Sequence, residues 1–216
     1  MIEKIKKNKF LIYLLILIIG LVLVLIIRTA YAYLMADIGL GKIVNINSNS
    51  DTLDKLEFIP GTPLTIAATN TTLIENGINM TSTSKPKVSL TANSTNNTAT
   101  YNYYVYFKMT SDFVYTVNDT TPELMLTITD GAGTQITNIA GLVYKTFGGI
   151  SGFDVTNKNG TFPVSLTSSI TSTSATTATI QEWTFTLTYL NLNSDQSANI
   201  GKKVTNEILI QKDKIV

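Results

Sequence analysis

Hydrophobic and polar positions follow two different rhythms along this chain. Phe10 to Ile27 is eighteen residues without a charge, apolar on all sides, the pattern of a helix surrounded by lipid rather than half-exposed to water. At a rise of 1.5 Å per residue it covers about 27 Å, close to a hydrocarbon core of about 30 Å. After Ala32 no sustained 3.6-residue period appears and a period of two takes over. Tyr101, Tyr103, Val105, Phe107 and Met109 share one parity, and Asn102, Tyr104, Tyr106 and Lys108 the other. Side chains of a strand alternate between faces, so the first set is predicted to face a core and the second a wetter surface.

The same alternation recurs. Leu64, Ile66 and Ala68 predict a strand, as do Val88 and Leu90. Leu124, Leu126 and Ile128 alternate with Met125, Thr127 and Thr129 and run into the turn Asp130-Gly131-Ala132-Gly133. Phe162, Val164 and Leu166 follow Asn159-Gly160, a strong turn dipeptide. Trp183, Phe185, Leu187 and Tyr189 are separated by threonines, with Trp183 in the core parity, and Val204 to Ile210 closes the pattern. Asp37 to Asn49 alternates weakly, as an edge strand with a bulge would. Turn signals at these intervals predict an all-β domain, an antiparallel Ig-like or jelly-roll sandwich of about eight to ten strands, preceded by a single amino-terminal transmembrane or signal helix.

Charge divides the chain at the same place. Residues 1–32 carry five Lys/Arg and one Glu; residues 33–216 carry eleven Lys, no Arg and fourteen Asp/Glu. Lys4, Lys6, Lys7 and Lys9 precede the apolar run and Arg28 follows it, which predicts a cytoplasmic amino terminus and an extracellular body in contact with the bilayer through the helix. A mildly acidic body without guanidinium groups excludes nucleic acid as an expected partner. Ala30 and Ala32 have the small-x-small spacing of a signal-peptidase site. A removed signal peptide therefore competes with a retained anchor, and the run exceeds the usual apolar region of about 7 to 15 residues. The resulting division is 1–9 cytoplasmic tail, 10–32 signal-anchor or signal peptide, 33–83 stalk or first strands, and 84–216 sandwich.

Cysteine and histidine are both absent. Disulfides, thiol catalysis, Ser-His-Asp triads and HExxH zinc sites are excluded, no cofactor motif is present, and the expectation is a non-enzymatic protein. Paired carboxylates or oxygen-ligated metal are the remaining routes to catalysis. Asn191, Asn193 and Asp195 alternate as in a calcium loop, yet Asp195 is the one carboxylate and Lys202 stands where a closing Glu belongs. A polar loop whose side chains bond their own backbone is the competing account. Asp130, Asp154 and Asp195 could form a site only if folding brings them together. Tyr104 and Tyr106, on the wetter parity, are the candidate contacts for a protein or glycan. Ten Thr and five Ser occupy 161–188, which suits an uncharged outer sheet face. Asn-x-Ser/Thr matches at Asn70, Asn79, Asn93, Asn96, Asn118 and Asn159 are expected by chance in so Asn- and Thr-rich a chain.

Trp183 to Lys202, Gly152 to Thr156 and the exit Ala30-Tyr31-Ala32-Tyr33 resemble segments of a group of Gram-positive cell-surface β-sandwich proteins, from Firmicutes and Mollicutes-type relatives, of unassigned role. More loosely, the exit and the Asn-rich β body resemble camelysin-type and TasA-type biofilm proteins. The resemblance implies an exported jelly roll. Likeness to Gram-positive adhesin domains would further suggest a Lys-to-Asn cross-link, with Lys108, Asn206 and Glu123 or Glu207 as candidates. A sortase-anchored adhesin, a type IV pilin and a lipoprotein are disfavoured by the absence of their motifs. The expected function is that of a membrane-tethered module for adhesion, matrix or protein/glycan binding. The alternatives are a carboxylate- or metal-dependent extracellular enzyme such as a glycan hydrolase, and a secreted, self-associating matrix subunit cleaved at Ala32.

Overall fold

The computed structural model describes residues 43–46 in their backbone, and 53–68, 77–94 and 97–214. All belong to the unit Gly41–Val216. Lys4, Lys6, Lys7, Lys9, the run Phe10 to Ile27, Arg28, Ala30 and Ala32 lie outside the described residues. Among the described residues no helix is long and apolar enough to cross a membrane.

Twelve strands are present among the described residues: β1 (Ile43–Ile46), β2 (Asp54–Ile59), β3 (Met80–Ser84), β4 (Lys87–Thr91), β5 (Ala99–Ser111), β6 (Leu124–Thr129), β7 (Val143–Phe147), β8 (Ile150–Asp154), β9 (Asn159–Ser172), β10 (Thr179–Glu182), β11 (Thr184–Tyr189) and β12 (Val204–Gln211), with one short 3-10 turn at Ser197–Asn199. They form three antiparallel sheets, ordered β1-β2-β4-β10, β3-β11-β6-β8-β7 and β12-β5-β9. The first two are halves of one bent layer. Ser84 pairs with Phe185 and Lys87 with Glu182 in a single register, and between them the Trp183 N–H donates to the Pro86 carbonyl at 2.9 Å. Pro86 cannot donate to a ladder, and the ribbon bends there. The excess over eight to ten strands has this cause, since the bend divides two continuous strands into four.

β5 packs against both halves of the bend. Phe107 stacks on Phe185 of β11 at 5.9 Å, and the Tyr103 ring lies 6.5 Å from both Phe58 of β2 and Trp183. The predicted core parity of β5 holds at Tyr103, Val105, Phe107 and Met109, each at most 1 % exposed. Burying side chains of this size stabilises by about 1.5–3 kcal/mol each, so the face-to-face contact of β5 with β11 holds the sandwich without disulfides. β2, within 33–83, and β3, which crosses the 83/84 boundary, belong to these sheets: Leu56 and Phe58 lie in the core, and β3 pairs with β11. At the far edge, Gly148 and Gly149 both have positive φ, which a two-residue hairpin turn between β7 and β8 requires.

Four expectations are corrected. Leu64, Ile66 and Ala68 alternate inward and are buried, but their segment forms only an isolated bridge, Ala67 with Lys203, because side chains take the backbone bonds before it, Ser82 at Thr65 and Asn206 at Leu64. Leu64 N–H donates to Asn206 Oδ1 at 3.2 Å and Asn206 Nδ2 donates to Leu64 O at 2.6 Å. Asn159-Gly160 opens β9 rather than turning; the turn lies at 155–158, where Lys158 N–H donates to Val155 O. Leu166 is exposed because the β5–β9 register slips twice in succession, at Tyr103/Val105 and Val105/Tyr106. Met125, on the wetter parity, is fully buried, since β6 is an interior strand and Tyr115, bonded to the neighbouring Asp154, comes from a loop beside that face.

Candidate functional site

The double slip leaves Leu166 and Thr167 of β9 without partners on β5, and beside this bulge lies a cleft of about 250 Å³. Its base is the phenol of Tyr103 and the indole of Trp183, both 1 % exposed. Tyr103 OH accepts from Trp183 Nε1 at 3.1 Å and donates to Gln181 Oε1 at 2.6 Å. Burial pushes the Tyr103 phenol above its ordinary range, against the Trp183 bond, which lowers it, so it stays a neutral donor. Gln181 in turn donates from Nε2 to Ser169 O at 3.0 Å. One wall is the hydroxyl-rich run Ser165, Thr167 and Ser168, with Ser168 Oγ donating to Ser165 Oγ at 2.8 Å.

The facing wall is the Asp130–Ala132 turn. Asp130 Oδ1 accepts the N–H groups of Ala132 at 2.9 Å and Thr134 at 2.8 Å, the self-bonding Asx geometry that makes Asp a turn former. Gly131 abuts Gln181 closely: a Cβ there would lie 2.7 Å from Gln181 Cβ. Asp130 is the one charged residue in the lining, and no Lys or Arg lines the cleft.

A second polar cluster, 112–123 with 190–199, is closed. Glu123 is 0 %, Gln196 2 % and Asn199 0 % exposed. The Glu123 carboxylate accepts from the Thr116 N–H at 2.9 Å, from Thr116 Oγ1 and from Gln196 Nε2. Gln196 Nε2 also contacts Tyr189 OH at 3.1 Å and Leu190 O at 2.9 Å, while its Oε1 accepts from the Leu192 N–H. Burial, above all, raises the Tyr189 phenol beyond the ordinary tyrosine range, with the Glu123 charge adding to it. Asn199 clamps Val114 through both its amide atoms at 2.9 Å. Nearby, Asp154 accepts from Thr156 Oγ1 at 2.8 Å, Lys145 Nζ at 3.0 Å and Tyr115 OH at 3.2 Å. Every one of these groups is satisfied internally, which is how buried polar groups avoid their desolvation cost.

The residues singled out from sequence are placed as follows. Asn191 and Asp195 bond backbone N–H groups of their own loop, at Asn193 and Ser197, both at 2.9 Å; Asn193 has φ 51°. The Asp195 carboxyl is held below its usual range first by the Ser197 hydroxyl. This is turn geometry, and no group of three or more acidic side chains disposed to hold a metal occurs among the described residues. Tyr106 is corrected as a surface contact: it is 4 % exposed, between Pro163 and Leu209 of the flanking strands, while Tyr104 is half-buried. Lys108 Nζ lies 3.9 Å from Glu207, and Asn206 is engaged by Leu64 and sits opposite Met109, so a Lys108–Asn206 pair is not assembled. The cleft residues Gln181 and Ser165–Ser169 were not singled out from sequence. The only local sign of them was Leu166, a large apolar residue breaking a serine-rich run.

Comparison with protein-family models, with curated proteins and with solved structures finds no match.

Proposed function

We propose that this chain is a non-enzymatic cell-surface protein, tethered by Phe10 to Ile27, whose antiparallel sandwich is held outside the membrane for adhesion, matrix or protein/glycan binding. The tether is supported by the length of the uncharged run and the lysines before it. Ig-like or jelly-roll topology is the finer class we assign to the sandwich. The observation that carries the binding reading is the cleft over Tyr103 and Trp183: concave, polar and open, while the other buried acids and amides are spent on internal bonds. A glycan hydrolase needs two carboxylates flanking the bond, and the cleft has Asp130 alone.

A second reading, self-association after cleavage at Ala32, draws on β7. Among the described residues this strand pairs with β8 only, and its Val143 is 57 % exposed, the kind of edge another strand can extend.

The test is expression of the full chain in a Gram-positive host. Protease treatment of intact cells should remove the sandwich, and expressing cells should bind matrix or neighbouring cells more than controls do. If the sandwich is protected in intact cells, or if cells bind nothing and the purified chain stays monomeric, the proposal is overturned. Amino-terminal sequencing separates the readings: a mature start at Tyr33 replaces the tethered module by the secreted subunit.

A further inference from the structure

We propose that the cleft between the bulged part of β9 and the Asp130 turn binds a neutral sugar ring, so that the ligand class of this protein is an uncharged glycan. This rests on the binding reading above and deepens it.

Four features of the cleft select the ligand. Its lining mixes donors and acceptors at short range: serine and threonine hydroxyls on β9, the Gln181 amide and the Asp130 carboxylate. Vicinal hydroxyls are the ligand groups that both donate and accept, so they match such a lining on either side. Asp130 Oδ1 is taken by two backbone N–H groups, and Oδ2 has no hydrogen bond among the described residues, leaving an acceptor for a sugar hydroxyl. No cation lines the cleft; a phosphate, sulfate or uronate would meet the Asp130 charge with nothing to offset its own desolvation. Most small-molecule sites are lined mainly by apolar side chains, whereas here the two aromatic groups at the base are each 1 % exposed, with their faces packed in the core. That disfavours lipid tails and apolar peptide side chains.

The hydrogen bonds give the site its preorganisation. Trp183 and Gln181 hold the Tyr103 hydroxyl from two sides, and Ser169 O holds the Gln181 amide. Gln181 therefore presents its remaining Nε2 proton from a restrained position, which lowers the ordering cost of binding. About 250 Å³ suits one ring.

Trp183 is the only tryptophan in the chain, so its emission reports on the cleft. The full-length chain is purified in a phosphocholine detergent, avoiding sugar headgroups, and titrated with maltotriose, cellotriose, tri-N-acetylglucosamine and, as an anion, trigalacturonate. The expected result is a saturable change of Trp183 emission with at least one neutral sugar and none with trigalacturonate. Gln181→Ala should raise the half-saturating concentration by about tenfold, the factor that one lost hydrogen bond of this kind is worth. Ser169 is exposed, so Ser169→Tyr should block the mouth with the fold intact and abolish the signal. Binding that survives Ser169→Tyr overturns the site. Tighter binding of trigalacturonate than of every neutral sugar overturns the ligand class while leaving the cleft as a binding site. If no neutral sugar binds but expressing cells still adhere, this inference falls and the surface-binding reading stands; if neither occurs, both fall.

Discussion

The cleft and the closed cluster are built from the same three kinds of group, a phenol, an amide and a carboxylate, and have opposite fates. In the cleft, Tyr103, Gln181 and Asp130 stand together; in the cluster, Tyr189, Gln196 and Glu123 do. Gln196 is 2 % exposed and bonds at both ends within the protein, its Nε2 to the buried Glu123 carboxylate and Leu190 O and its Oε1 to the Leu192 N–H. Gln181 is half-buried, bonds the protein at both ends, and keeps an Nε2 proton beside an open mouth. Composition therefore does not distinguish a structural polar network from a binding one; the number of bonds left over after folding does.

Substitutions in the two regions should separate them. The largest effect is expected from Glu123→Ala, which strands the buried Gln196 Nε2 and removes the acceptor of two half-buried Thr116 donors. Urea denaturation should show a loss of about 3 kcal/mol or more, and a loss under about 1 kcal/mol would mean that water reaches the cluster. Next, Gln196→Ala should cost about 2–3 kcal/mol, because Leu192 N–H and the Glu123 carboxylate both lose a partner, whereas Gln181→Ala should cost about 1 kcal/mol or less. Equal losses would erase the contrast between the regions.

A smaller effect lies in alkaline stability. Tyr115, beside the closed cluster, is pushed up to about 12 by burial and then by the Asp154 charge; Tyr101 rises to about 12 by burial and then through its bond to Asp54. An unfolded tyrosine deprotonates near 10. Between roughly pH 10 and 12 the folded chain holds more protons than the unfolded one, so stability present below pH 10 is lost as pH rises through that window. Replacing both by Phe should make the fall in melting temperature across this range shallower; an unchanged slope would show that neither phenol is kept from water. The smallest effect is expected from Ser169→Tyr, which should change stability by no more than about 0.5 kcal/mol while closing the cleft. A marked loss there would mean that the mouth is a packing contact rather than an opening.

How much of this was legible in the sequence varies by residue. The inward parity of β5 from Tyr103 to Met109, of β6 at Leu124, Leu126 and Ile128, and of β11 from Phe185 to Tyr189 was readable, as was the core position of Trp183. Each is a local pattern whose burial needs only a covered face. The Asp130 turn was readable too, because an Asx turn is made by its own neighbours. Tyr106 was misread since its outer face is filled by Leu209, 103 residues onward, and Pro163. Gln181 carried no mark at all: four residues of β10 are too few to show a period, and its role comes from Tyr103, 78 residues away.

By itself, then, the sequence determined the class of the molecule: an uncharged run long enough to span a bilayer, no thiol or imidazole chemistry, and strands whose alternation requires one covered face. Those properties follow from residue type and near-neighbour spacing. Only the tertiary structure decided where the ribbon bends at Pro86 and Trp183, where β9 slips from β5, and which acid–amide–tyrosine group is closed and which open. Each depends on register between strands far apart in sequence. A slip of one residue at Val105 moves a side chain from core to surface, and no local pattern records it.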